Sequence, residues 1–199
     1  AEPAFRAAFD ACDEVLGDSL GFDLRERVFS DDPQALLPTS VMPPATFAVE
    51  YALAKWWMSL GIVPAAMVGH SVGEFVAATL AGVFTLADGL HLVARRGALM
   101  QAQPTGAMLS VRLSLEKLQP RLSGGVSLAA ENAPGAGVVA GTHESVAAFQ
   151  AQLDSESVAY RLLETSHAFH SDLMEPVVEP FRAELAGMVL SAPAIPLVS

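Results

Sequence analysis

Apolar residues recur at helical spacing from the first turn of the chain. Phe5, Ala8, Phe9, Cys12, Val15 and Leu16 keep that period, which predicts a helix over Pro3–Leu16 ended by Gly17. A shorter helix is expected over 24–29, and residues 30–44, rich in Pro, Asp and Ser, read as a loop. A second long helix is expected over 45–60, with Phe47, Tyr51, Ala54 and Trp57 or Met58 on one side and Gly61 as its stop. Ile62-Val63-Pro64 leads into an apolar run, 65–68, that reads as a buried strand. Helical spacing resumes through Val72, Phe75, Val76, Thr79 and Leu80 and ends at Gly82. Thr85 and Asp88 offer caps for a further helix to about residue 102, with Leu92, Val93, Leu99 and Met100 on its apolar face.

After the turn Pro104-Thr105-Gly106 the period changes. Strands are expected at 107–113, 126–132, 137–141 and 158–164, with helices at 114–122 and from Thr142 or His143 to about 153. The order βαββαβ is that of a ferredoxin-like unit, here an insertion over 106–166, because helical, core-like sequence returns afterwards. A helix is expected over 171–188 with Met174, Val177, Phe181, Leu185 and Met188 inward, shifted or kinked at Pro180, and a last strand at 195–198.

Composition narrows the class. The 199 residues are 52% hydrophobic and only 17% charged, which suits an α/β protein with a buried sheet or a piece of a larger assembly. No apolar run reaches the length of a membrane span, so no membrane partner is expected, and the charges within residues 1–10 argue against a signal peptide. Cys12 is the single cysteine; it excludes an internal disulfide, reads as a core residue and points to a reducing, cytoplasmic compartment. The net charge of −11, from 11 basic and 22 acidic side chains, argues against nucleic acid and requires any anionic ligand to be held by local groups.

The chemistry centres on Gly69-His70-Ser71-Val72-Gly73, a G-x-S-x-G between a strand and a helix. Such a turn strains the serine backbone and lifts its hydroxyl to a helix N-terminus, where free N–H groups favour an anion. Side chains at the flanking glycine positions are expected to clash. Ser71 needs a base. His70 points away in a regular elbow, His91 fits the polar face of its helix, and His143 fits a helix start. His167 and His170 stand together in Thr165-Ser166-His167-Ala168-Phe169-His170-Ser171, where the chain returns from the insertion. Nothing marks an acidic third member; a Ser–His dyad oriented by a carbonyl or an amide does the same work. Arg95 reads as a surface residue. Arg96, flanked by Val93, Leu99 and Met100, is expected to be partly buried, and a buried guanidinium calls for an anionic partner.

Gly69-His70-Ser71-Val72-Gly73-Glu74, Arg96-Gly97 with Met100-Gln101, Gly106-Ala107-Met108, Glu131-Asn132-Ala133-Pro134 and His167-Ala168-Phe169-His170-Ser171 follow one another in this order. Together they resemble the acyltransferase domain of modular type I polyketide synthases, itself similar to the malonyl-CoA:acyl-carrier-protein transacylase of fatty acid biosynthesis. The resemblance implies an α/β-hydrolase-like large lobe, 1–105 and 167–199, with an inserted ferredoxin-like small lobe, 106–166. It implies Ser71 as nucleophile, His170 as base, the Val72 N–H as an oxyanion donor and Arg96 as partner of an extender unit's carboxylate. It implies malonyl-CoA and the phosphopantetheine arm of an acyl carrier protein as substrates, no bound cofactor or metal, and neighbouring synthase domains of a multifunctional polypeptide as partners.

Val72 and the pair His167 and Phe169 look like the malonyl-selecting version, the Phe169 ring filling the space that an α-methyl branch needs. Arg112, Lys117 and Arg121 are candidates for a local basic dock for an acidic carrier protein. The family's glycine-glutamine-glycine segment, which supplies a second oxyanion donor, and its histidine-orienting segment are expected outside this chain, and Pro43-Pro44-Ala45 stands where glutamine-proline-alanine is usual. Two other readings stay open: a serine esterase or thioesterase of α/β-hydrolase type, and a non-catalytic docking fragment.

Overall fold

The computed structural model describes residues 2–198; Ala1 and Ser199, the outermost residues of the expected large lobe, lie outside the described residues. The chain divides into two compact units, Ala1–Ala98 with Phe181–Ser199, and Leu99–Pro180.

The first unit begins with α1 (Pro3–Leu16), which opens on Pro3 and closes where Gly17 turns left-handed at φ 34°. Next come the short α2 (Leu24–Val28), capped by the Asp23 carboxylate on the Glu26 N–H at 2.8 Å, and α3 (Met42–Ser59). Strand β1 (Met67–Val68) runs straight into α4 (Val72–Leu80), and α5 (Leu86–Gln101) follows. Thr85 and Asp88 close the start of α5 reciprocally: the Asp88 N–H donates to Thr85 Oγ1 at 3.1 Å, and that hydroxyl donates to Asp88 Oδ2 at 2.7 Å.

Phe9, Cys12, Leu24, Phe47, Leu90 and Val93 form the centre of this unit's core. Helix α3 buries its N-terminal half, Pro43 to Ala52, because Ala45, Ala48 and Ala52 let neighbouring helices approach. Trp57, expected as one of two inward choices, is instead half exposed at 50%.

The second unit contains β2 (Ala107–Val111), α6 (Leu115–Leu118), β3 (Val126–Ala133), β4 (Ala136–Gly141), α7 (His143–Ser155) and β5 (Tyr160–Leu162). The sheet order is β3-β4-β2-β5 with every pairing antiparallel, the ferredoxin-like arrangement that the βαββαβ order predicts. Alternation sorts the strands onto two faces. Leu109, Val111 and Val139 face α6 and α7 with Leu118, Phe149 and Leu153, while Met108, Val138 and Ala140 face the other way, against Ala168.

Several elements are shorter than expected. Pro120 lacks an N–H, so α6 stops at Leu118 and tightens into a 3₁₀ turn, Gln119–Arg121. The predicted helix over 171–188 starts as a 3₁₀ turn, Asp172–Met174, because the Ser171 hydroxyl accepts from the Leu173 N–H; α8 then runs Glu175–Ala186 with Pro180 inside it. Strand β6 (Leu197–Val198) pairs in parallel with β1, Met67 opposite Leu197 and Val68 opposite Val198. The lobe bounds read from the sequence, 106–166, are narrower than the second unit, which also takes in the end of α5 and the segment after β5.

Candidate active site

In the first unit, β1 gives way to α4 within three residues. Ser71 is the N-cap of α4 at φ 53°, ψ −110°, a backbone conformation costly for any residue with a side chain. Its hydroxyl does not cap the helix; Arg96 Nη2 donates to Ser71 Oγ at 3.3 Å. The turn is closed by main-chain bonds, Gly73 N–H to the His70 carbonyl at 3.0 Å and Glu74 N–H to the Ser71 carbonyl at 3.2 Å. Among the described residues none accepts from the Val72 N–H at the helix start. That leaves a donor beside Ser71 at the positive end of the helix dipole.

The two glycines of the motif are not equivalent. A Cβ on Gly69 would sit 2.2 Å from the Glu74 nitrogen and 2.3 Å from the Gly73 carbonyl carbon, inside the folded-back turn. A Cβ on Gly73 would meet only Glu50 Oε2 at 3.6 Å, an ordinary contact. The expected clash at both flanks is therefore corrected to one: Gly69 is required by space, because the first turn of α4 folds over it.

Arg96 lies on α5 and is half-buried, with its guanidinium 6.0 Å from the centre of the Phe75 ring. Burial pushes its pKa down from the ordinary value, and among the described residues no carboxylate pairs with it. Gly97 lets this stretch of α5 approach the loop before α3, since a Cβ there would be 2.9 Å from the Thr39 carbonyl oxygen. The neighbouring Arg95 points elsewhere: Arg95 Nε donates to Glu184 Oε1 at 2.7 Å, and His91 Nε2 lies 3.3 Å from Glu184 Oε2. His91 thus occupies an exposed polar face. His70 is exposed at the elbow, and His143 is the exposed first residue of α7, with Thr142 as the cap.

In the second unit, the segment after β5 carries His167, Phe169 and His170. His170 is exposed and left-handed at φ 57°. The resemblance implies a substrate contact for His167; the structure buries it to 1% exposure, with Nδ1 2.8 Å from Ser166 Oγ and Nε2 3.2 Å from the Gln103 carbonyl oxygen. Phe169 is half-buried with its ring centre 6.2 Å from that of His167. Gln103 belongs to this arrangement and was missed in the sequence, because it contributes a main-chain carbonyl, which no side-chain pattern reveals. Of the basic candidates on this unit, Arg121 is committed to Glu156 and the Lys117 carbonyl, at 2.8 and 2.6 Å, while Arg112 and Lys117 are exposed.

Among the described residues no group of three or more His, Cys, Asp and Glu side chains could hold a metal ion, and no helix is long and apolar enough to cross a membrane.

An N-cap serine in a left-handed turn, with a half-buried arginine on its hydroxyl, suits acyl transfer to an oxygen nucleophile. Comparison with known proteins agrees. Residues 1–199 match the acyl transferase domain family, and the chain belongs to it. It is 43% identical over 198 residues to the phenolphthiocerol synthesis polyketide synthase type I Pks15/1 of Mycobacterium marinum, covering 99% of this chain and 9% of that protein. Among solved structures it is similar to the acyltransferase domain from the second module of the salinomycin polyketide synthase, with a TM-score of 0.93 and 42% identity over 100% of this chain and 47% of that one. It is also similar to the malonyl CoA-acyl carrier protein transacylase from Burkholderia pseudomallei, with a TM-score of 0.87 and 32% identity over 99% of this chain and 70% of that one. The chain therefore spans about half of the salinomycin domain and a small part of the whole synthase. The fold is the α/β one of these proteins, with a ferredoxin-like small lobe.

Proposed function

We propose that this chain carries the nucleophile and base of an acyltransferase that moves an extender acyl group, malonyl, from CoA to the phosphopantetheine thiol of an acyl carrier protein. The observation that carries the reading is Ser71 in its left-handed turn at the start of α4, with Arg96 Nη2 on its hydroxyl. Ser71 Oγ attacks the thioester carbonyl, its proton passing to His170. The new O–C bond forms, and the Val72 N–H donates to the developing oxyanion. When the C–S bond breaks, CoA leaves as a thiolate and takes the proton from His170. In the second half the carrier thiol attacks the acyl-serine, His170 accepts the thiol proton, and Ser71 Oγ leaves and recovers it.

Arg96 receives the free carboxylate of the extender unit. An acyl group without a carboxylate leaves the half-buried guanidinium without an anionic partner, which disfavours acetyl-CoA. Malonyl is preferred over methylmalonyl because Phe169 is bulky; one methyl is worth only about 1–3 kcal/mol, so the preference is strong but incomplete. Of the three basic candidates, Arg112 and Lys117 are exposed and available to an acidic carrier protein.

Family membership favours transfer over the hydrolase and scaffold readings. The test is intact mass spectrometry after exposure to malonyl-, methylmalonyl- and acetyl-CoA. The expected result is a malonyl adduct that Ser71→Ala abolishes and His170→Ala slows by orders of magnitude. An undiminished adduct on Ser71→Ala overturns the assignment, and a predominant methylmalonyl adduct overturns the selectivity alone.

A further inference from the structure

The segment 166–171 is fastened at four points within its own unit. The Gly106 N–H donates to the Ser166 carbonyl at 3.2 Å. Ala168, fully buried, lies directly on Gly106: a Cβ on that glycine would sit 2.8 Å from the Ala168 Cβ and 3.2 Å from its nitrogen. The Ser171 hydroxyl donates to the Ala168 carbonyl at 2.6 Å and accepts from the Leu173 N–H at 3.3 Å. The fourth fastening is His167. Its Nε2 faces the Gln103 carbonyl oxygen at 3.2 Å, and a carbonyl can only accept, so that nitrogen carries the hydrogen. Its Nδ1, 2.8 Å from Ser166 Oγ, then accepts from the hydroxyl in the neutral ring. Gln103 is itself held, its N–H on the Met100 carbonyl at 3.1 Å and its side-chain amide on the Leu99 carbonyl at 3.0 Å.

Three residues after this anchored imidazole, His170 stands in a left-handed conformation that a side-chain-bearing residue holds only when its surroundings over-determine it. We propose that His167 is a positioning residue. By tying the segment to the Gln103 carbonyl, it holds the strained turn that presents His170, and it makes no contact with the acyl group. The inference rests on the reading of His170 as the base. It assigns to the first histidine of His167-Ala168-Phe169-His170 a mechanical task rather than a share in substrate choice.

A shape-matched apolar replacement, His167→Leu, removes both bonds and leaves a buried carbonyl without its donor. His167→Gln keeps an amide that can donate to Gln103. Hydrogen exchange by mass spectrometry, on the protein without substrate, reads the peptide spanning 163–174. In His167→Leu its exchange should rise about tenfold, the loss of the bond to the Gln103 carbonyl, and His167→Gln should return most of the protection. Thermal melting of both variants monitors the fold, and Ser166→Ala, which removes the Nδ1 partner, gives a milder version should His167→Leu not fold.

In acylation assays the rate constant should fall in His167→Leu, with the KM for malonyl-CoA and the ratio of malonyl to methylmalonyl adduct unchanged. Unchanged exchange together with an altered ratio overturns the proposal and makes His167 a substrate contact. Unchanged exchange in both His167→Leu and Ser166→Ala also overturns it. If the unaltered protein forms no adduct, the acyltransfer reading fails, while the exchange arm still decides whether His167 anchors the turn.

Discussion

Replacing each glycine of the elbow by alanine should have opposite consequences, although the motif treats the two positions alike. In Gly69→Ala the new methyl would lie 2.2 Å from the Glu74 nitrogen and 2.4 Å from the Gly73 carbonyl oxygen, more than 1 Å inside normal contact. Both neighbours are main chain in the first turn of α4, so no side chain can swing aside. Overpacking costs about 1–3 kcal/mol when side chains can adjust, and a clash against two peptide units belongs at or above the top of that range, about 3 kcal/mol. In Gly73→Ala the methyl meets only Glu50 Oε2 at 3.6 Å. There the helix gains about 0.5–1 kcal/mol from the lower backbone entropy of the unfolded chain.

The two variants should therefore differ by about 3.5–4 kcal/mol. With a urea dependence of about 2 kcal/mol per molar, their unfolding midpoints should lie about 2 M apart, Gly69→Ala below the unaltered protein and Gly73→Ala at or slightly above it. Acyl-adduct formation should follow, because relieving the clash moves Ser71 out of its φ 53° turn. Midpoints within about 0.3 M of each other would falsify the steric account and make the two glycines equivalent after all.

Arg96→Ala should lower kcat/KM for malonyl-CoA by roughly 30- to 1,000-fold, the loss of one or two hydrogen bonds to a charged group, and leave acetyl-CoA unaffected or improved; parallel kinetics with the two substrates check it. Phe169→Ser should raise the methylmalonyl share of the adduct by about tenfold, the worth of one methyl in a fitted pocket, read by competition between the two acyl-CoAs. Burial pushes the Cys12 thiol from 9.0 up to about 12, chiefly by desolvation and secondarily through Asp13. The folded state thus holds this proton more tightly than the unfolded one: the stabilisation is complete below pH 9 and is lost as the pH rises toward 12. Melting temperatures across that alkaline window should fall less steeply for Cys12→Ala, and native Cys12 should resist alkylation at pH 8 until the protein unfolds.

Local periodicity and punctuation were enough to determine most elements. Pro3 and Gly17 bracket a helix because proline fits a first turn and glycine accepts a left-handed close, and those preferences need no tertiary partner. Likewise Val126–Ala133 and Ala136–Gly141 are joined by a tight turn, and with β2 and β5 they assemble in the order that βαββαβ implies. The elbow was legible for the same reason: a strand, a G-x-S-x-G and a helix are contiguous, so Ser71 reaches its turn through local chain geometry.

What tertiary structure alone decided depends on groups far apart in sequence or hidden in the main chain. Arg96 reaches Ser71 across 25 positions because α5 packs where Gly97 lets it pass close to Thr39. Periodicity predicted a partly buried arginine without saying what it would touch. Trp57 stays half exposed because the alanines of α3 attract the close packing that its own size prevents. The pattern alone could not distinguish Gly69 from Gly73, since only the folded turn shows whose Cβ would strike a peptide unit. His167 and His170 stand three residues apart in one loop and looked equivalent in composition. Packing buries the first against a carbonyl and leaves the second exposed, because the left-handed turn at His170 sends the two side chains into different surroundings.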